Sequence, residues 1–126
     1  MLTKICKIIT VSVLLLSVSS AAQAGQTFDA KAFQQAQTAG KTILVDVTAS
    51  WCPTCRQQRP IVQEIEKERP NLVVYEVDFD TAKDVLKRFH VQYQSTLIMF
   101  KGPAEVGRST GVTDPVQIRA LVAKGL

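Results

Sequence analysis

Apolar and polar positions along this chain follow two periods, and the switches between them mark out its elements. Thr42-Ile43-Leu44-Val45-Asp46-Val47-Thr48 is a β-branched run whose apolar residues are nearly continuous. That is the pattern of a strand covered on both faces, and it places the run mid-sheet. After Cys52 the spacing turns helical, with Ile61, Val62 and Ile65 on one side, Glu64, Glu66, Lys67 and Glu68 on the other, and Pro60 as a kink. Leu72 to Phe79 reads as a second strand, and Thr81 to Phe89 as a short helix with Val85, Leu86 and Phe89 inward. Thr96 to Lys101 is a third strand, and Gly102-Pro103 a turn from which Glu105 to Thr110 pairs back antiparallel. Asp29 caps a helix over Ala30 to Gln37 with Phe33 and Ala36 on one face, and Gly40 follows its end. Asp114-Pro115 opens a last helix carrying Val116, Ile118, Leu121 and Val122. The predicted order is helix, strand, helix, strand, helix, strand, strand, helix. Its alternation implies an α/β fold with parallel pairing, and no internal repeat interrupts it.

The first 24 residues belong to a different pattern. Lys4 and Lys7 precede an apolar run from Ile8 to Val18, and Ala22-Gln23-Ala24 places small residues where a signal peptidase needs them. The run is short for a membrane span. Residues 1–24 are therefore expected to be a signal peptide cleaved after Ala24, and residues 25–126 the mature domain, periplasmic or secreted. Cys6 lies ahead of the apolar run and is incidental. With 126 residues in all, 46% hydrophobic and 21% charged, the composition fits one globular domain. Losing Lys4 and Lys7 takes the formal charge from +4 to +2. No basic stripe with interleaved aromatics remains, so nucleic acid is not an expected partner.

The mature chain keeps two cysteines, Cys52 and Cys55, in Trp51-Cys52-Pro53-Thr54-Cys55. A bridge across so small a loop constrains the unfolded chain little, so the spacing favours redox or metal chemistry over a structural staple. Cys52 falls where a buried strand meets a helix, near free backbone N–H groups and the positive end of the helix dipole, which favour thiolate. Cys55 comes one turn later, within reach and expected to lie deeper, as a thiol that resolves a mixed disulfide must. Pro53 suits the first helical turn. The competing reading is a metal-handling module holding Cu(I), zinc or an iron–sulfur cluster on the same two thiolates. Adding His90, the one histidine, still gives three ligands where zinc takes four, so no metal is assigned.

In the same segments the chain resembles the thioredoxin family. The likeness runs over essentially all of the mature chain: Val45-Asp46, Trp51 before the first cysteine of WCxxC, Pro60 within the following helix, Thr96-Leu97-Ile98-Met99-Phe100, and Gly111. It implies a thioredoxin fold, a central mixed sheet of four to five strands flanked by helices. It implies Cys52 as nucleophile, Cys55 as resolving thiol, and Asp46 beneath the pair as a proton acceptor; a carboxyl in an apolar strand has a raised pKa and can act as a base near neutrality. Trp51, Pro53, Thr54, Ser95 and Thr96 would line the substrate groove, with Trp51 as a lid.

Two positions depart from the family. Ser95 stands where a cis-proline usually faces the disulfide, and a cis bond without proline costs about 2.5–4 kcal/mol, so the Gln94–Ser95 peptide is expected to be trans or strained. Glu76 stands where a lysine usually lies near the buried aspartate. If the two carboxyls approach one another, one should hold its proton to higher pH, which makes Glu76 a candidate member of the proton relay. The resulting expectation is a monomeric oxidoreductase acting on protein thiols and disulfides, leaning towards reduction because Thr54 stands where strongly oxidising members carry histidine. It has no motif for a nicotinamide or flavin and so needs no cofactor of its own, but it does need an electron donor, for which a membrane thiol carrier is the candidate.

Overall fold

The computed structural model describes residues 25–126. The signal peptide, its cleavage after Ala24 and Cys6 lie at or beyond the edge of the described residues. The elements are β1 Gln26–Thr27, α1 Ala30–Thr38, β2 Thr42–Thr48, α2 Pro53–Glu68, β3 Leu72–Asp78, α3 Lys83–Arg88, β4 Thr96–Lys101, β5 Ala104–Thr110 and α4 Pro115–Ala123. The sheet order is β1-β3-β2-β4-β5. β1 and β3 run parallel to β2, β4 pairs antiparallel with β2, and β5 pairs antiparallel with β4. The near-continuous apolar run of β2 is central, with its five inner residues buried.

Alternation along the strands divides the core into two layers. Ile43, Val45 and Val47 of β2, with Tyr75, Val77, Ile98 and Phe100, pack against Phe33 of α1 and against Leu86 and Phe89. Phe33 is the hub: its ring lies 5.3–5.9 Å from those of Phe28, Tyr75, Phe89 and Phe100, mostly edge to face, an arrangement aromatic quadrupoles favour. On the opposite face Leu44, Val74, Leu97 and Met99 meet Val62 and Ile65 of α2 and Ile118, Leu121 and Val122 of α4. Asp46 shares the Leu44 face by the same alternation, so a carboxyl points towards the α2 layer.

The sheet has five strands, the upper end of the four to five expected; the fifth, β1, has two exposed residues that pair with Tyr75 and Glu76 and carry no hydrophobic signal. The boundary between β3 and α3 needs correction. β3 ends at Asp78 and α3 starts at Lys83, not Thr81. The Asp78 carboxylate accepts from the N–H groups of Asp80 and Thr81, and its carbonyl from Ala82, so a turn occupies the residues expected to open the helix. Pro60 lies inside α2, as expected, and the helix continues past it to Glu68.

Candidate active site

Cys52 is the N-cap of α2, in extended backbone with φ −83° and ψ 112°. Its Sγ accepts the Cys55 N–H at 3.1 Å, one of the donors a helix leaves free in its first turn. Pro53 follows at N1, exposed, where its missing N–H costs nothing, and Thr54 is half-buried beside it. Cys52 and Cys55 are joined as a disulfide with their Cα atoms 5.3 Å apart, inside the span such a bond requires. Cys55 was expected to be the deeper of the two, but they are buried alike, at 1% and 2% exposure, packed with Ala49 and Phe79.

The largest departure from the family pattern is structurally explicit. Among the described residues no peptide bond is cis, and Ser95 takes a left-handed backbone with φ +62°. A serine in that region is uncommon and persists where its surroundings over-determine it. Here they do. The Ser95 N–H donates to the Val47 carbonyl at 2.8 Å, and its carbonyl accepts from the Gly111 N–H at 3.0 Å and from Gln58 Nε2 at 3.2 Å. Its hydroxyl stands between the two sulfurs, 3.1 Å from Cys52 Sγ and 3.2 Å from Cys55 Sγ. Gly111 has φ +75° and presents its N–H to Ser95 from a conformation that glycine adopts readily.

Gln58 was missed at the sequence level. It is buried, and Nε2 also donates to the Val112 carbonyl at 2.8 Å, tying α2 to both ends of the β4–β5 hairpin. Its spacing from Val62 and Ile65 is that of one helical face, a signal that could have found it. Its Oε1 is buried without a partner among the described residues. Thr96 is also buried, its hydroxyl donating to the Tyr93 carbonyl and bonded to Thr110 Oγ1, so the side chain is directed into the fold. Trp51 is exposed and its indole N–H donates to Asp80 Oδ2 at 2.8 Å. Tyr93, two residues ahead of Ser95, is a second exposed ring.

Asp46 and Glu76 are register partners on β2 and β3 and line one narrow cleft with Gly25 and with Arg59, Val62, Gln63 and Glu66 of α2. Burial pushes the Asp46 carboxyl up from 3.8 to about 7; the Glu76 charge adds to the rise and Arg59 opposes it. Burial also raises Glu76, against Arg59 and with Glu66. Of this acidic pair, the buried Asp46 is the one set to exchange a proton near neutral pH. Among the described residues no group of three or more His, Cys, Asp or Glu side chains is placed to hold a metal ion.

A sequence model of the family described as Thioredoxin matches residues 23–124. A thioredoxin H-type from Fagopyrum esculentum is 39% identical over 79 residues, covering 63% of this chain and 68% of its own. A thioredoxin from Chlamydia trachomatis is 32% identical over 82 residues, covering 65% and 80%. Among solved structures, Trxlp from Edwardsiella tarda superimposes with a TM-score of 0.74 at 38% identity, over 77% of this chain and 96% of that one. The thioredoxin of Fasciola hepatica does so at 0.69 and 26%, over 76% and 90%.

Proposed function

This chain belongs to the thioredoxin family and is a thiol-disulfide oxidoreductase, and we propose that it is exported and acts there as a monomeric reductant of disulfides in other exported proteins. The observation that carries the chemistry is the Cys52–Cys55 disulfide at the N-terminus of α2, capped by the Cys55 N–H and bridged by the Ser95 hydroxyl. In the reduced protein the Cys52 thiolate attacks a substrate disulfide, forming a mixed disulfide and expelling one substrate thiolate. Cys55 then gives its proton to Asp46 and attacks Cys52 Sγ, expelling the second substrate thiolate. Two electrons leave the pair, and the substrate disulfide becomes two thiols.

Each neighbouring residue has a part in this scheme. Asp46, its pKa raised to about 7 chiefly by burial, accepts and returns the proton, with like-charge repulsion from Glu76 adding to the rise. Ser95 Oγ donates to whichever sulfur carries the charge. Pro53 and Thr54 keep the two sulfurs within bonding distance, and Trp51, fixed by Asp80, forms one wall of the groove that receives the substrate. Thr96 contributes from within, holding the Tyr93 carbonyl on the approach to Ser95. Thr54 between the cysteines offers no imidazole to stabilise the thiolate, which favours the reducing direction. Export is supported by the basic, apolar and small-residue order of residues 1–24. Oxidation of the pair must then be reversed by a thiol donor reaching across the membrane.

Alkylation trapping of the pair in living cells tests the direction. A largely reduced Cys52/Cys55 pool that turns oxidised when the export compartment loses its thiol supply is the expected result. A pool that is oxidised at steady state overturns the reductant reading and leaves the oxidoreductase intact.

A further inference from the structure

The cleft over Asp46 is unbalanced in charge. With Asp46 ionised it holds three carboxylates, Asp46, Glu66 and Glu76, against the single guanidinium of Arg59. Gly25 lines the same cleft, and its backbone nitrogen lies 3.1 Å from Glu66 Oε2. Its placement leaves no room for a side chain. A Cβ on Gly25 would come within 2.9 Å of Glu76 Cγ and 3.2 Å of Val74 Cγ1, and φ is +61°, a conformation suited to glycine.

Gly25 is also the residue that cleavage after Ala24 would leave first. From these observations we propose that signal-peptide processing completes the proton-relay cleft: the α-ammonium of Gly25 takes the seat on Glu66 and supplies the second positive charge beside Asp46 and Glu76. This deepens the export reading and rests on it. Before cleavage the nitrogen is an amide N–H, a neutral donor to Glu66. Afterwards it is a cation with an ordinary pKa near 7.7–8.0, which an adjoining carboxylate holds in the charged form. A cation brought among these acids favours the ionised form of Asp46, so the mature protein has a more readily deprotonated relay than the precursor. The groups that decide the effect come from each element around the cleft: Asp46 from β2, Glu76 from β3, Arg59 and Glu66 from α2, and Gly25 ahead of β1.

The test uses the exported protein. Its N-terminus is first read by intact mass, and a start other than Gly25 overturns both the processing reading and this proposal. The Asp46 carboxyl is then titrated by carbon NMR in the Gly25-starting chain and in the same chain acetylated at its α-amine, which keeps the N–H and removes the charge. The expected result is an Asp46 pKa lower by about half a unit or more in the free-amine chain, with the difference lost in Glu66→Gln. Equal titration of the two chains, with the start at Gly25, overturns the proposal and leaves export standing.

Discussion

Two side chains carry most of what distinguishes this site. Asp46 is a buried acid whose folded pKa, about 7, lies well above its unfolded value of 3.8. Between those pH values the folded state holds a proton that the unfolded state has released, so stability falls as pH rises, by about 1.4 kcal/mol per unit. Asp46→Asn removes this linkage. Denaturant melts should show the variant more stable than the parent by roughly 2–4 kcal/mol at pH 8 and no more stable at pH 4. Equal gains at both pH values would mean the burial of charge is not the cause. Under the proposed scheme the same variant should slow resolution of the mixed disulfide, because Asp46 is the proton acceptor proposed for Cys55. Ser95 acts on the other side of the pair. A hydrogen bond from its hydroxyl to the Cys52 thiolate stabilises the reduced form, so Ser95→Ala should raise the thiolate pKa by about one unit and lower the reduction potential by roughly 30 mV. Thiolate absorbance against pH reads the first, and equilibration with glutathione the second. An unchanged pKa would leave Ser95 Oγ as a packing neighbour.

At the scale of elements, legibility in the sequence followed the strength of each periodic signal. β2 and β4 were legible to the residue because buried central strands are near-continuous apolar runs. The two helix faces of α2 were read because charge and apolar residues separate cleanly. β1 was not read, since two exposed polar residues pair through backbone alone. The start of α3 was misplaced because the competing signal, an aspartate whose carboxylate organises its own turn, is local and sits outside any hydrophobic pattern. At the site, the WCxxC segment, an acid inside an apolar strand and the serine just before β4 were visible as sequence features. The left-handed backbone of Ser95 was not, because it arises from three separate partners, Val47, Gly111 and Gln58, that only the tertiary fold assembles. Packing between elements can be tested at Phe33, where α1 meets the rings of Phe28, Tyr75, Phe89 and Phe100. Phe33→Ala should cost about 3–5 kcal/mol in denaturant unfolding with the cysteine chemistry preserved in the folded fraction. A loss below about 1 kcal/mol would place the hub elsewhere.

On the scale of the whole molecule, a single domain places a disulfide where strand β2 gives way to helix α2, with a hydroxyl between its sulfurs and a buried carboxyl, Asp46, within the same strand β2. Both faces of the sheet are covered by helices, so the chemistry is left to one end, where exposed Trp51 and Tyr93 stand near it. None of the helices among the described residues is long and apolar enough to cross a membrane. The central claim is that Cys52 exchanges disulfides with other proteins, and trapping tests it most directly. Cys55→Ala should accumulate mixed disulfides with partner proteins, seen as adducts on non-reducing gels that collapse with dithiothreitol and are absent from the Cys52→Ala/Cys55→Ala double variant. Adducts that persist in the double variant, or none in Cys55→Ala while insulin is still reduced, would contradict it.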